Sequence, residues 1–501
     1  MRVPPCLFAA TAASALLACD KQADTFSPTT PQFDATPAGF VTSQPAQARL
    51  LAAQGRLKPI LTVGDPIPGQ ESNADPEQRV WAPIPDGLGA YQDGDKLVLF
   101  ANHEISSSGV DGKFTYSKVS RLLLDPATLS VTGGFYPITG KAPGFLFQRL
   151  CSATFAGPEV GLGEGWFLTG EESTSGGAEG MQLAVKRDGS ETRKLPWLGR
   201  FLHENYIAVP GVPGKVVLIG TDDNQPSGFG ASLRSELYMY IADDAASVLA
   251  GTGKLFVFSS TEKINSGYLT PDAPISGHFV EVTGADALSP ADLQAKVDGL
   301  DAFKFVRLED ADYGRQPALT GGKPSIYFVD TGNLNARCGA DPCDLYGSIY
   351  RMVLDPADPT QNASLVLLAR SRGVAAGDWA SPDNIALSGR SLMVQEDPAY
   401  AGFNRPERIW NFKFETDGGL DTPRAVVELE TQKFTGSVCS DAAGTCWESS
   451  GIIDASQWLG DGTWLFDVQA HTLPFSYQDG QNTVHLSKEG GQLLFLRIPG
   501  T

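Results

Sequence analysis

Lys96-Leu-Val-Leu-Phe-Ala-Asn-His-Glu104 reads as an apolar β run that delivers a carboxyl where it ends. The chain repeats this design in Trp166-Phe-Leu-Thr-Gly-Glu-Glu172, Val216-Val-Leu-Ile-Gly-Thr-Asp-Asp223, Ser325-Ile-Tyr-Phe-Val-Asp-Thr-Gly-Asn333, Ser391-Leu-Met-Val-Gln-Glu-Asp397 and Thr463-Trp-Leu-Phe-Asp-Val-Gln-Ala-His471. Each run is rich in β-branched and aromatic residues, the composition of a strand. Their leading acids are Glu104, Glu171, Asp222, Asp330, Glu396 and Asp467. A second strand follows each run, several of them closing on Asp-Pro, Arg-Asp-Gly or Thr-Asp-Gly turns. A polar segment precedes each: Asp86, Cys151, His203-Glu204-Asn205, Glu309-Asp310, Asp383-Asn384 and Glu448. Six repeats of about four strands predict an all-β fold, a six-bladed β-propeller. The longest interval, between Asp222 and Asp330, holds Ser289-Pro-Ala-Asp-Leu-Gln-Ala-Lys-Val297. Its Ser N-cap and Pro at the first position predict a helix, in an insertion between the third and fourth blades.

In a four-stranded blade the innermost strand begins, and the second ends, on one face. The polar segments and the strand-end acids are therefore expected around one mouth of a central channel. Carboxylates packed there would repel and raise one another's pKa, and polyvalent cations relieve that. On these grounds Glu104, Glu171, Glu172, Glu204, Asp222, Asp223, Glu309, Asp383, Glu396 and Asp467 are the candidate metal ligands. Carboxylates, Asn102, Asn384 and backbone oxygens suit hard cations such as Ca²⁺, Mn²⁺ or ferric iron.

Composition agrees. The 501 residues are 42% hydrophobic and carry 38 Lys plus Arg against 58 Asp plus Glu, a net charge of −20. That apolar share excludes a disordered chain, and the acidity argues against nucleic acid as a partner. With five His and none paired at metal-binding helical spacing, a zinc hydrolase is unsupported. No Gly-Xaa-Ser-Xaa-Gly elbow, Walker loop or dinucleotide fingerprint is present. Metal-activated water is the hydrolytic nucleophile that remains. His103 and His203 read equally as proton carriers or as structural imidazoles.

Residues 1–18 read as a signal peptide, cut within the lipobox-like Leu16-Leu-Ala-Cys19 so that Cys19 becomes the first mature residue and is lipidated. Residues 19–47 then form a lipidated tether and residues 48–501 a single propeller domain. This predicts an exported protein, lipid-anchored in the bacterial cell envelope and touching membrane only through that anchor. In such an oxidising compartment Cys338/Cys343 and Cys439/Cys446 are spaced for local disulfides, and Cys151 reads as a buried small hydrophobe.

From about residue 50 onward, the ordered set Asn102-His-Glu104, Leu168-Thr-Gly-Glu-Glu172, Gly199-Arg-Phe-Leu-His-Glu204, Gly220-Thr-Asp-Asp223, Leu308-Glu-Asp310, Pro382-Asp-Asn384 and Gln395-Glu-Asp397 resembles the PhoX-type alkaline phosphatases. The resemblance implies a six-bladed propeller holding calcium and a pair of irons. It implies hydrolysis of phosphomonoesters, and of some diesters, outside the cytoplasm. Glu171, Glu172, Glu204, Asp222, Asp223, Glu309 and Glu396 would then be ligands or their supports. The family has an iron-binding Cys where this chain has Gly170, which weakens the iron reading: calcium is the expected cofactor, and a calcium-only or otherwise altered site is the alternative to an iron-loaded one. Glu171, Glu309 and Arg337 are the candidate catalytic groups, Arg337 as a fork for phosphate with Arg149 and Arg200 as alternatives. The expected partner is a small phosphorylated substrate, and the expected state a monomer. A phytase-like enzyme, a lactonase or a non-catalytic calcium-stabilised binding module would use the same scaffold.

Overall fold

A computed structural model describes residues 28–224, 233–333, 342–398 and 402–501. The signal peptide, Cys19, Arg337 and Cys338 lie outside the described residues.

The architecture is all-β and propeller-like, built from antiparallel meanders laid around an axis. One sheet contains Pro85–Asp93, Lys96–His103, Lys118–Asp125 and Ser130–Ile138 in chain order, and a second Leu150–Ala156, Trp166–Glu171, Gln182–Lys186 and Thr192–Lys194. A nine-stranded sheet joins the meander His203–Val209, Val216–Asp222, Leu237–Ala242, Lys254–Ser259 to the meander Leu308–Tyr313, Ser325–Asp330, Ser348–Val353, Ala363–Arg370. The link is one strand, Ile275–Glu281, hydrogen-bonded to the outer strand of both. A further sheet contains Pro382–Leu387, Ser391–Glu396, Arg408–Lys413 and Arg424–Leu429, with Ala48–Leu50 added outside. In the last, Glu448–Asp454, Thr463–Ala470 and Gly490–Arg497 are completed by Arg56–Thr62 from near the start of the chain. That pairing caps the edge of the last sheet and fastens the ring.

Local sequence explains the turns and the core. Asp93 pairs with Lys96 across the two-residue Gly94-Asp95 turn, where Gly94 takes the positive φ of 57° that such hairpins favour. Ser289 caps Pro290–Asp298, accepting a hydrogen bond from the Asp292 amide, and the helix buries Leu293 and Val297. The apolar side of each sheet packs on its neighbour; Ile60, Leu97, Leu465 and Phe495 share one cluster between the first and last sheets. Six inner strands (Pro85–Asp93, Leu150–Ala156, His203–Val209, Leu308–Tyr313, Pro382–Leu387 and Glu448–Asp454) touch one another in that order, and the last touches the first.

From residue 28 the segment expected as tether lies along the sheets. Its Thr29 amide donates to Trp458 O, Phe40 bridges to Val131, and Gln47 is buried with its amide donating to Gln492 Oε1 at 2.9 Å. Buried Thr42 and Thr62 hydroxyls meet at 2.8 Å, so this stretch packs as part of the domain. Cys439 and Cys446 are disulfide-bonded. Among the described residues no helix is long and apolar enough to cross a membrane.

Phe495 is fully buried where the first and last strands meet. Phe495→Ala is expected to lower unfolding free energy by about 3–5 kcal/mol in a urea titration; a loss below about 1 kcal/mol would contradict this closure.

Candidate metal centre

The inner strands share an irregularity that the sequence did not disclose. Pro85 pairs with His103 but Leu88 with Ala101, so Asp86-Gly87 bulges opposite Asn102 alone. The same bulge contains Cys151-Ser152 between Leu150↔Glu171 and Ala153↔Thr169, and Glu204-Asn205 between His203↔Asp222 and Tyr206↔Gly220. It recurs at Glu309-Asp310 and at Asp383-Asn384. A bulge re-aims one side chain out of strand alternation, and here it brings the first residue of each pair together. Strain accompanies it: Ile84, Arg149 and Ser381, each just before an inner strand, take φ of 51°, 53° and 47°. Gly87 is required by the crowding, since a Cβ there would lie 2.4 Å from Cys151 O.

Donor atoms of Asp86, Glu104 and Cys151 lie within 4.8 Å of one another, as do those of Cys151, Glu172 and Glu204, and those of Glu204, Glu309 and Asp383. Cys151 and Glu204 are shared, so the three groups form one run. Glu104 and Glu172 each follow the last residue of a second strand, as Asp223 does. Arg149 spans two of them, 3.0 Å from Glu104 and 2.7 Å from Glu172. Arg307 grips Asp223 through Nε and Nη2, both at 2.9 Å, and lies 2.9 Å from Glu309. The second bulge residues make a hydrogen-bonded floor. Asn384 Nδ2 donates to Ser152 Oγ at 2.7 Å, Ser152 Oγ to Glu204, and Asn205 Nδ2 to Asp310, which also accepts from the Ile385 amide at 3.0 Å.

Charge does not balance within the protein. Among the described residues, the six carboxyls of the three groups and Asp223 face Arg149, Arg307 and, at Glu104, His471. Burial first, then neighbouring carboxylates, pushes Asp86, Glu204, Glu309 and Asp383 well above the usual carboxylate range. Asp223 rises to about 7 through burial, against the pull of Arg307. Asp310 rises to about 7 for the same first reason. Burial, then Glu104, Glu172 and Glu204, raises the Cys151 thiol. Buried oxygens also lack partners: Asn102 Oδ1, Asn384 Oδ1 and both carboxyl oxygens of Asp467. Crowded acids with orphaned oxygens fit bound cations; carboxylate and amide oxygens suit hard ions, and the one thiol a softer one.

Several candidates lie elsewhere. Glu171 accepts from the amides of Gln148 and Glu179, both at 2.9 Å. Asp330 accepts from Val306, Arg307 and Gly332 amides at 2.9, 3.1 and 2.9 Å. Glu396 is held by both terminal nitrogens of Arg405 at 2.8 Å and by the amides of Ala380 and Arg408. Asp222 faces Glu236, whose partner is Lys304. These acids stand in register with His103, the residue before Glu104, and side chains alternate sides along a strand. They secure their own sheets, while Glu104 and Glu172, one position on, join the three groups. Asp467, opposite Ser450 in the last sheet, is fully buried and pushed well up by burial and then by Glu448. His103 and His203 are buried and drop to about 3 through burial; they bond Pro83 O and Ser120 Oγ, and Gly199 O, as neutral structural imidazoles. Arg200 donates to Leu288 O at 3.1 Å, away from the cluster.

Two readings change. No side chain fits at Gly170, where a Cβ would lie 2.2 Å from His203 Cβ. The thiol in the cluster is that of Cys151, which sits opposite Gly170 in its bulge and is more than a buried hydrophobe. Spacing alone could have found it, because Cys151 stands in the same preceding segment as Asp86, Glu204, Glu309 and Asp383. A cavity of about 630 Å³ opens at the other end of the inner strands, around Tyr91, Phe155, Tyr313, Arg315 and Trp458, and meets the floor only at Asn205 and Asp310.

The family model described as alkaline phosphatase PhoX matches residues 184–451, just over half of the chain. The structure of Pseudomonas fluorescens PhoX in complex with vanadate, a transition state analogue, is similar at a TM-score of 0.59 and 14% identity, over 92% of this chain and 98% of that one. An α-L-arabinofuranosidase of Fusarium graminearum aligns at 0.42 and 10% identity, over 88% and 98% of the two chains. The periplasmic gluconolactonase of Pseudomonas aeruginosa aligns at 0.32 and 14%, over 74% and 96%. No curated protein matches the sequence significantly.

Carboxyls raised in the folded state stabilise it while protonated and lose that contribution as pH climbs through about 7, the value reached by Asp223 and Asp310. Chelator-stripped protein is expected to melt at least about 5 °C lower at pH 8 than at pH 5, and added Ca²⁺ to restore the pH 8 value. A flat or rising profile would contradict the crowded-acid reading.

Proposed function

The chain belongs to the PhoX alkaline phosphatase family and is a phosphoric ester hydrolase, and from that premise we propose that it hydrolyses phosphomonoesters at the acid run where the inner strands begin. The observation that carries this reading is the set of three donor groups linked through Cys151 and Glu204. Calcium suits the all-carboxylate group Glu204, Glu309 and Asp383, and iron suits the groups that share Cys151. Gly170 no longer argues for a calcium-only site, because Cys151 brings a thiol to the cluster. When bound, such cations supply the positive charge that offsets the phosphoryl oxygens as the ester breaks.

The chain's own residues do the rest. Arg149 is about half exposed, and its guanidinium is steadied between Glu104 and Glu172. It is therefore the group to orient phosphate, in the role first given to Arg337. Arg307, buried and gripped by Asp223, is a positioning residue that fixes Glu309. Ser152 and Asn384 hold Glu204 from below. Glu171 acts as a support, tying the stretch before Arg149 to the residues after Glu172.

The nine-stranded sheet counts as two blades joined by Ile275–Glu281, which makes the fold a six-bladed propeller with the 290–298 helix in an insertion. A signal peptide over residues 1–18, lipidation at Cys19, a single domain that takes in the packed stretch from residue 28 onward, export to the cell envelope and a monomeric state complete the proposal.

Chelation is expected to abolish hydrolysis of a chromogenic phosphomonoester, and vanadate to inhibit it competitively. Cys151→Ser should lower kcat about 10–100-fold or more with the fold retained. Glu396→Gln should lower the melting temperature and change kcat by less than about threefold. Full turnover by Cys151→Ser, or indifference to chelator, would refute the assignment.

A further inference from the structure

Cys439 and Cys446 close a short loop ahead of the last inner strand, and their sulfurs pack with Val374, Ala380 and Phe403. Against this apolar knot lies a fully buried carboxyl. Glu407 Oε1 is 3.1 Å from Cys439 Sγ, and Oε2 is buried with no hydrogen-bond partner. No cation among the described residues bonds Glu407, and both terminal nitrogens of the neighbouring Arg405, which acts on it only from a distance, bind Glu396. Leaving a charged carboxylate there would incur its whole desolvation cost. Burial first, then Glu396 and Asp397 against Arg405, holds its pKa well up. A disulfide sulfur carries no hydrogen, so a hydrogen bond across this 3.1 Å contact requires the carboxyl to be protonated and to donate.

An apolar residue would fill this position at lower cost, and an acid touching a disulfide has a specific chemical use. We propose that Cys439–Cys446 is a thiol–disulfide exchange site that takes a dithiol co-reactant, with Glu407 as its acid–base group. Both cysteines are buried, and Cys446 is the more exposed residue of the pair, at 6% against 1% for Cys439. It lies at the end of an exposed loop held by local hydrogen bonds, the Ser440 amide donating to Thr445 Oγ1 at 3.0 Å and Thr445 Oγ1 to Val438 O at 2.8 Å. Opening that loop leaves every sheet intact.

A thiolate of the dithiol attacks Cys446 Sγ, forming a mixed disulfide as the Cys439–Cys446 bond breaks. The electron pair leaves on Cys439 Sγ, which takes the Glu407 proton; a neutral thiol is the better leaving product in this apolar setting. The second thiol of the reagent then attacks its own sulfur in the mixed disulfide and releases the Cys446 thiolate. The dithiol departs as a disulfide, oxidised by two electrons, and the protein keeps two thiols once Cys446 and Glu407 regain protons from water. In the reverse direction Glu407 is the base that deprotonates Cys439.

The test uses the intact folded protein with dithiothreitol as the probe, at pH 6 to 9. Alkylation of Cys439 and Cys446 is followed by peptide mass mapping in the wild type, Glu407→Gln and Glu407→Asp. The wild type is expected to be reduced at least about tenfold faster than Glu407→Gln at pH 7, with Glu407→Asp between them. The Gln variant should track the thiolate fraction of the reagent, whereas the wild-type rate should rise less steeply as Glu407 ionises. Arg405, Glu396 and Asp397, the charged groups facing position 407, are the same in all three proteins. Coincident rates and pH profiles would overturn the proposal, as would reduction only at the rate of global unfolding. Should Glu407→Gln not fold, a Glu407→Asp profile that fails to flatten would do the same.

Discussion

The structure depends on a repulsion. Asp86, Glu104, Glu172, Glu204, Glu309 and Asp383 bring carboxyls into three overlapping groups, and the sheets behind them leave no room to spread. Two unit charges about 4 Å apart cost several kcal/mol at the effective dielectric of a protein. With Arg149, Arg307 and His471 the cations that face them among the described residues, the acids must either hold protons or surround metal cations. The bulges, the left-handed residues ahead of the inner strands and the Asn–Ser–Asp floor all serve to hold that arrangement still. A strained frame enforcing close charges is the expected mark of a functional site.

The position of each acid relative to its bulge separates two roles that look alike in one dimension. Glu171, Asp330 and Glu396 satisfy main-chain amides that begin the inner strand of their own sheet. Carboxylates used this way replace backbone partners that irregular entry segments cannot otherwise find. The acids one position further on face the axis. The five meanders that supply the three groups thus each carry one carboxyl, or its equivalent, for their own integrity and hand another to the cluster, whereas the last sheet hands none to these groups.

Much of this was legible in the chain. The apolar runs marked the second strands, the polar segments marked where the inner strands begin, and the Ser-Pro start marked the 290–298 helix. What escaped was parity: a period-2 strand tells which residues share a side only if pairing is regular, and the bulges at Asp86, Cys151, Glu204, Glu309 and Asp383 break that regularity. Taking Glu171, Asp222, Asp330 and Glu396 as equivalent to Glu104 placed them on the axis by a one-residue error. Cys151 passed as a core residue because cysteine is so often buried without a task, and Glu407 drew no notice because nothing in sequence pairs it with Cys439.

Glu204 belongs to two of the three groups, so the cluster should not keep its cations without it. Elemental analysis of folded Glu204→Gln beside wild type, after dialysis against the same calcium and iron buffer, tests this most directly. The account predicts that the variant carries at least one metal equivalent fewer; unchanged metal content in a folded variant would contradict it.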